Sequence, residues 1–363
     1  MTKFEQGILP MTHYTPIKHF QGSRKALGQQ ARVEDTRAAA GSFRKDMLAG
    51  PKVKYYESFD LIRVPYPTRY GLRNAFSRER YVEYLHIQNR LFVIQYETPA
   101  GLRTLLASPS DHERGGETPF FRRIQDTAPK LLQNVIVKRQ ANVLEVLARI
   151  GLKPEDVDYI TYDHLHTQDV RRWLGSADQP GLLPNAKLLV HHREWASAGD
   201  LNPYQADWYC PGGIAGVPEN RVIQFDGDIM LGDGLALIHT PGHTEGNHSI
   251  VAHTDEGLWV TSENGISADA YAPLHSTAAG VADYARTIGT EVIINGNTLE
   301  NSIDQYISMV QEKTIAGPSK RDPRYPNVFP SSEMTPFWLF PGTTPGFYVG
   351  KAVHGELQRR FQE

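Results

Sequence analysis

The chain has 363 residues, of which 40% are hydrophobic and 22% charged, with a formal net charge of −3. That length suffices for a large core without covalent staples, and a single cysteine, Cys210, excludes an internal disulfide or a Cys-based zinc cluster. The balanced charge offers no polyanion-binding surface, and no apolar run approaches the roughly 18 residues of a membrane span or the core of a signal peptide.

The expectation is a cytoplasmic protein that acts on a small molecule, with no nucleic-acid or membrane partner. Residues 1–54 are polar and irregular, and are expected to form an N-terminal arm containing at most a short helix between Gly22 and Ala49, because no sustained apolar stripe is evident. From Tyr55 the pattern turns strand-rich: Tyr84–Ile87 and Leu91–Glu97, then the turn Thr98-Pro-Ala-Gly, then Leu102–Ala107. Asn142–Ile150 places Val143, Leu147 and Ile150 on one helical face and ends at Gly151, as a helix stop should. Val157–Tyr162 is a buried strand ending in Asp163-His-Leu-His. Further strands are expected at Ala186–His191, Val222–Phe225, Leu235–His239, Ser249–His253, Leu258–Thr261 and Glu291–Ile294, with helices from His192 and over Val281–Ile288. The Pro- and aromatic-rich residues 317–363 are expected to pack as a C-terminal extension, since their Phe and Trp side chains are costly to leave in water. The arm and this tail would suit a homodimer.

Three features carry chemistry. His164 and His166 stand at i and i+2 after an apolar strand, a spacing that turns two imidazoles to one side of an extended segment. Thr240-Pro-Gly-His243 follows another strand, and its Pro and Gly bend the chain so that His243 sits at the strand end. Thr261-Ser-Glu263 sets a carboxylate after a third. Three imidazoles and a carboxylate suit one divalent transition metal, zinc first, with iron or manganese as alternatives. The loop containing Tyr209 and Cys210, and His192 at a helix start, are pocket candidates; Cys210 has no activating neighbour in sequence and is expected to be an inert thiol.

In these motifs and their order the sequence resembles the metallo-β-lactamase superfamily, in particular its lactonase and glyoxalase II-like branch, over about residues 80–300. The resemblance implies an α+β fold, an αββα sandwich spanning residues 55–316, with the metal site at one edge of its two sheets. The family pattern His-x-His-x-Asp-His becomes His164-Leu-His166-Thr-Gln168-Asp169 here. Glu263 stands where the family has its bridging Asp, and Asn297 where it has its last His. The first metal site, His164, His166 and His243, is therefore intact, whereas Gln168, Asp169, Glu263 and Asn297 make a poor second one. The function implied is a metal-dependent hydrolase of an ester, lactone, thioester or amide, with a mainly mononuclear site and Asp169 as general base. The alternatives are an iron-dependent oxygenase on the same fold, or a degenerate member that binds without catalysis.

Overall fold

The computed structural model describes residues 14–76, 83–127, 136–297 and 299–359. The first thirteen residues of the expected arm and the last four of the expected extension lie outside the described residues.

The long strand β3 (Tyr84–Thr98) explains the architecture best. Its side chains alternate, so Phe92, Ile94 and Tyr96 face one apolar cluster while Leu91 and Val93 face another. It pairs antiparallel with β2 (Tyr55–Pro67), which also carries the short β5 (Lys138–Arg139), and, across the turn whose Gly101 has φ 94°, with β4 (Gly101–Ala107). β6 (Tyr159–Thr161), β7 (Lys187–His191) and β8 (Val222–Phe225) then add in parallel, and apart from the exposed Lys187 and the half-buried Tyr159 and Gln224 their residues are buried, as parallel strands covered on both faces are. The second sheet runs in the order β1 (Thr15–Pro16), β9 (Ile229–Gly232), β10 (Leu235–His239), β11 (His248–Thr254), β12 (Gly257–Thr261). In β10, Leu235 and Leu237 meet Phe92, Ile94 and Tyr96 between the sheets, while Ala236 and Ile238 face outward to helices. The result is a layered αββα sandwich, each sheet having one face on its partner and one on helices.

The helices carry the sequence signals at their ends. Val143–Ile150 begins with a reciprocal capping box between Asn142 and Glu145 and ends at Gly151 in the left-handed conformation. Two expectations need correction. The N-terminal segment contains a 21-residue helix, Gln29–Ala49, whose buried side is Val33, Thr36, Ala40, Phe43 and Met47. That spacing is helical throughout, but Thr and Ala supply part of the stripe and hide it from a search for large apolar residues. It packs against the helix Ser302–Ala316, where Arg44 Nη1 donates to Ile315 O (2.8 Å) and Ala316 O (2.5 Å). Residues 292–294 are buried and 291 is half-buried, but they form no strand: Ile293 N–H donates to Ala270 O (2.7 Å) of the short helix Ala268–Tyr271 in place of a ladder.

The last segment adds β13 (Ser332–Thr335) to the outer end of β3, and β14 (Val353–Gly355) to β2. Phe329 is wholly buried against Phe92 and Trp259, while Trp338 stays 73% exposed, against the expectation that the aromatics here are all sheltered. Among the described residues no helix is long and apolar enough to cross a membrane.

Candidate metal centre and cavity

The strand ends β6, β10 and β12 deliver the candidate residues to one place. Asp163–His166 follow β6, His243 follows β10, and Glu263 follows β12. All three histidines are buried, and their nitrogens converge: His243 Nε2 lies 3.1 Å from His164 Nε2 and 3.1 Å from His166 Nδ1. Nitrogens held about 2.05 Å from a tetrahedral centre stand about 3.3 Å apart, so the spacing fits a shared ion.

The far side of two rings settles which nitrogen faces inward. Gln205 Oε1 lies 2.7 Å from His166 Nε2, and the same amide's nitrogen donates to Glu300. An amide oxygen only accepts, so the His166 proton sits on Nε2 and the Nδ1 lone pair is left for the centre. Asp163 Oδ2 lies 3.2 Å from His164 Nδ1 and keeps a proton there, so Nε2 is the nitrogen that faces the centre. Burial, and then the neighbouring imidazoles, hold His166 and His243 well below the usual histidine range, so both are neutral donors. Burial also acts to lower His164, but the charge and hydrogen bond of Asp163, together with the charges of Glu263 and Glu194, outweigh it and raise the ring to about 9. Binding an ion must therefore displace a proton from His164.

Glu263 is the carboxylate on the cavity side, its Oε2 3.8 Å from His164 Nε2. Its own N–H donates to Asp163 Oδ2 (2.7 Å), and Ser331 Oγ donates to its Oε1 (2.7 Å). Burial, then the charge of Asp163, pushes its carboxyl up.

The loops that carry the histidines are braced from behind by two buried carboxylates. Glu194 accepts from Leu165 N (2.8 Å), Tyr209 Oη (2.9 Å) and Thr244 Oγ1 (2.5 Å), joining the His164/His166 loop to the His243 loop. Glu312 accepts from Ser249, Asn264 and Tyr271, and Asn264 Oδ1 in turn accepts the His243 N–H (2.9 Å). Glycine is required beside both braces: a Cβ on Gly246 would stand 2.0 Å from Glu194 N, and one on Gly242 (φ 150°) 2.2 Å from Gln305 Cα.

A cavity of about 70 Å³ lies over the triad and is lined by Asp163, His164, His166, Gln168, Trp208, His243, Glu263, Asn295 and Asn297, among others. It adjoins a chamber of about 410 Å³ lined by Ile62, Val64, Phe121 and Ile124; Ile87, Asn89, Ser110, Phe121, Thr167 and Ser332 border both.

Gln168 and Asn297 thus reach the site, but Asp169 does not. Both of its oxygens are held by Arg171 (2.8 and 2.5 Å), and it does not line the cavity. Its short side chain, one residue past Gln168, turns to the opposite side of the loop. Tyr209 packs edge-on to His166 with ring centroids 4.8 Å apart and gives its hydroxyl to Glu194, so Trp208 rather than Tyr209 forms the cavity wall. His192 lies elsewhere, 3.1 Å from Asp226. Cys210 is buried, donates to Arg114 O (3.2 Å), and is pushed up to about 12 by burial, then by Asp169. Sequence reading left Asp163 unassigned and overlooked Asn295, two residues before Asn297. Gln205 and Glu300 carry no local signal at all.

No family model matches the chain. In sequence it is similar to an N-acyl homoserine lactonase of a Bacillus species, 29% identical over 114 residues, which is 31% of this chain and 40% of the relative. It is likewise similar to an N-acyl homoserine lactonase of Bacillus cereus, 27% identical over the same extent. The chain is akin to the lactonase branch of the metallo-β-lactamase superfamily. The match spans only 40% of the length of those curated relatives. Among solved structures, the chain resembles a probable metal-dependent hydrolase from Staphylococcus aureus (TM-score 0.49, 14% identity, 70% of this chain and 82% of that one). It also resembles a dizinc quorum-quenching lactonase in complex with a product (TM-score 0.49, 10% identity, 85% and 97%). The superfamily's motif order, read earlier from sequence, coincides here with the strand ends that build the triad.

Proposed function

We propose that this chain is a metal-dependent hydrolase of a carbonyl ester, with a lactone as the leading substrate form, at a site holding one zinc ion. The observation that carries the reading is the convergence of three imidazole nitrogens, two of them with their outer nitrogens held by Asp163 and Gln205. Similarity to N-acyl homoserine lactonases supports the lactone. His164, His166 and His243 would hold the ion, with Glu263 beside it. When bound, the ion supplies Lewis acidity and a water that ionises near neutral pH.

The chain's own residues do the rest. Glu263, with its carboxyl pushed up and one oxygen fixed by Ser331, is poised to accept and return a proton at the cavity face. Trp208 and Phe121 wall the cavity, and the adjoining chamber takes an apolar substituent. Gln168 and Asn297 replace charged or imidazole groups with neutral amides, which are weak ligands for a transition ion, and this favours one ion over two.

The test is elemental analysis of the purified chain together with hydrolysis of a panel of lactones and esters. One zinc per chain, and turnover abolished in His166→Ala, are expected. Iron in place of zinc, with oxygen uptake and no ester turnover, would overturn the reading in favour of an oxygenase. Absence of both ion and turnover would overturn it in favour of a binding protein.

A further inference from the structure

The helix Ser302–Ala316 has a buried polar stripe, Gln305, Ser308 and Glu312 at i, i+3 and i+7, and all three residues serve the corner that carries His243. Gln305 Nε2 donates to Asn264 O (2.9 Å), Glu312 holds Asn264 and Ser249 as described above, and Ser308 Oγ donates to Pro241 O (2.6 Å), two residues before His243. A serine inside a helix ordinarily turns its hydroxyl back to the carbonyl four residues earlier, here Asp304 O. Arg24, from the N-terminal arm, takes up that place. Its Nη1 lies 3.5 Å from Asp304 O, and its Nη2 donates to Ser308 Oγ (2.7 Å) and to Gln311 Oε1 (2.9 Å). A guanidinium only donates, so Ser308 accepts from it and directs its own proton to the Pro241 carbonyl. The arm reaches the same corner at a second point: Ile17 N–H donates to Asp228 O (2.8 Å), and Asp228 Oδ1 accepts the His239 N–H (2.8 Å). Another arginine of the arm, Arg44, holds the same helix by Ile315 O and Ala316 O, roughly 10 Å beyond Ser308 along the helix axis.

Resting on the metal centre of the hydrolase reading above, we infer that Arg24 is a positioning residue for that centre: through Ser308 it fixes the Pro241 carbonyl, and through that corner the place of the His243 imidazole. With Gly242 seated on the backbone at Gln305, no side chain lies between helix and corner to absorb a displacement, so the arm's hold on the helix passes directly to the loop. The link joins residues 284 apart in the chain, from an arm that lies outside the stretch carrying the family motifs. Arg44 makes the same kind of contact at the other end of the helix, away from the corner, and contributes stability alone. The two arginines therefore separate holding the helix from holding the histidine.

The experiment compares the whole chain with Arg24→Met, Ser308→Ala and Arg44→Met, by zinc competition with a chromogenic chelator and, on the metal-free protein, by hydrogen exchange of the peptide covering residues 239–247. Arg24→Met and Ser308→Ala are each expected to weaken zinc binding about tenfold and to speed exchange at the corner by about the same factor. The double variant should lose no more than the larger single loss, since both changes break one link. Arg44→Met should lower Tm and leave zinc affinity and corner exchange as in the unaltered chain. Ser308→Ala keeps Arg24 on Gln311 and reads the link even where Arg24→Met does not fold. If the unaltered chain takes up no zinc while exchange follows this pattern, the positioning role stands and the hydrolase reading falls. Equal effects of Arg24→Met and Arg44→Met on zinc and on corner exchange would make Arg24 a clamp like any other and overturn the inference. So would a Ser308→Ala chain that matches the unaltered one, or losses that add in the double variant.

Discussion

Two histidine clusters in this molecule draw on the same residue types and end differently. His164, His166 and His243 converge, and so, more loosely, do His191, His192 and Asp226. In the first, the outer nitrogens of His164 and His166 face a carboxylate and an amide oxygen, and the inner ones line a cavity. In the second, His191 Nδ1 accepts the Arg193 N–H (3.3 Å) as the cap of the helix His192–Gly199, and its ring stacks flat on His239 at 3.9 Å. Asp226 stands 77% exposed and 3.9 Å from the His191 ring. Proximity of ligating atoms is common to both clusters. In the first the outer partners leave lone pairs pointing into a cavity, whereas in the second the Arg193 N–H already takes the His191 Nδ1 lone pair.

That contrast can be tested by breaking it. The largest effect is expected from His166→Ala or His243→Ala, which should lose more metal affinity than the roughly 10–100-fold that removal of an outer partner costs; competition with a chromogenic chelator measures it. Next comes Gly246→Ala, whose methyl collides with the backbone at Glu194. It should destabilise by roughly 3 kcal/mol and loosen the ion, read by denaturant unfolding and by metal content. Gln205→Leu removes the partner of His166 Nε2 and should weaken metal binding about 10–100-fold with little change in Tm.

The second cluster should behave in the opposite way. His192→Ala combined with Asp226→Asn should leave metal content and turnover as they are and move stability by about 0.5 kcal/mol or less. His191 sharpens the point through pH. Burial, then the neighbouring His239, pushes its ring far below the ordinary value of about 6.5. The unfolded chain therefore takes up a proton there before the folded one does, and the stability it contributes is full above pH about 6.5 and declines as acid is added. His191→Asn keeps a cap acceptor but removes the titration, so its Tm should fall less steeply between pH 6.5 and 4.

Much of the site was visible in the sequence because its chemistry is local. His164-Leu-His166 and Pro241-Gly-His243 place their rings by backbone geometry within a few residues, and Glu263 follows its strand directly. What sequence missed depends on distant packing. Gln205 meets His166, and Glu300 meets Gln205, only because the short helix Pro203–Ala206 and the segment at Glu300, far apart in sequence, close over the same edge. The motif register put Asp169 beside the metal, yet Arg171, two residues away, claims it. The helix Gln29–Ala49 was underestimated because Thr36 and Ala40 bury as well as leucine would when the opposing helix comes close. The β-branched content of residues 291–294 predicts a strand, but strand character requires a strand to pair with, and their neighbour is the short helix Ala268–Tyr271.

Ser331 gives the C-terminal segment a meaning that its position in the chain does not suggest. One hydroxyl, 168 residues downstream of Asp163, stands 3.2 Å from that carboxylate and 2.7 Å from Glu263. It separates two acids that would otherwise repel each other at the mouth of the cavity. A shortened version ending near residue 316 would keep His164, His166 and His243 and still lack the hydroxyl that stands between those acids, so any minimised version of this scaffold has to carry its tail along.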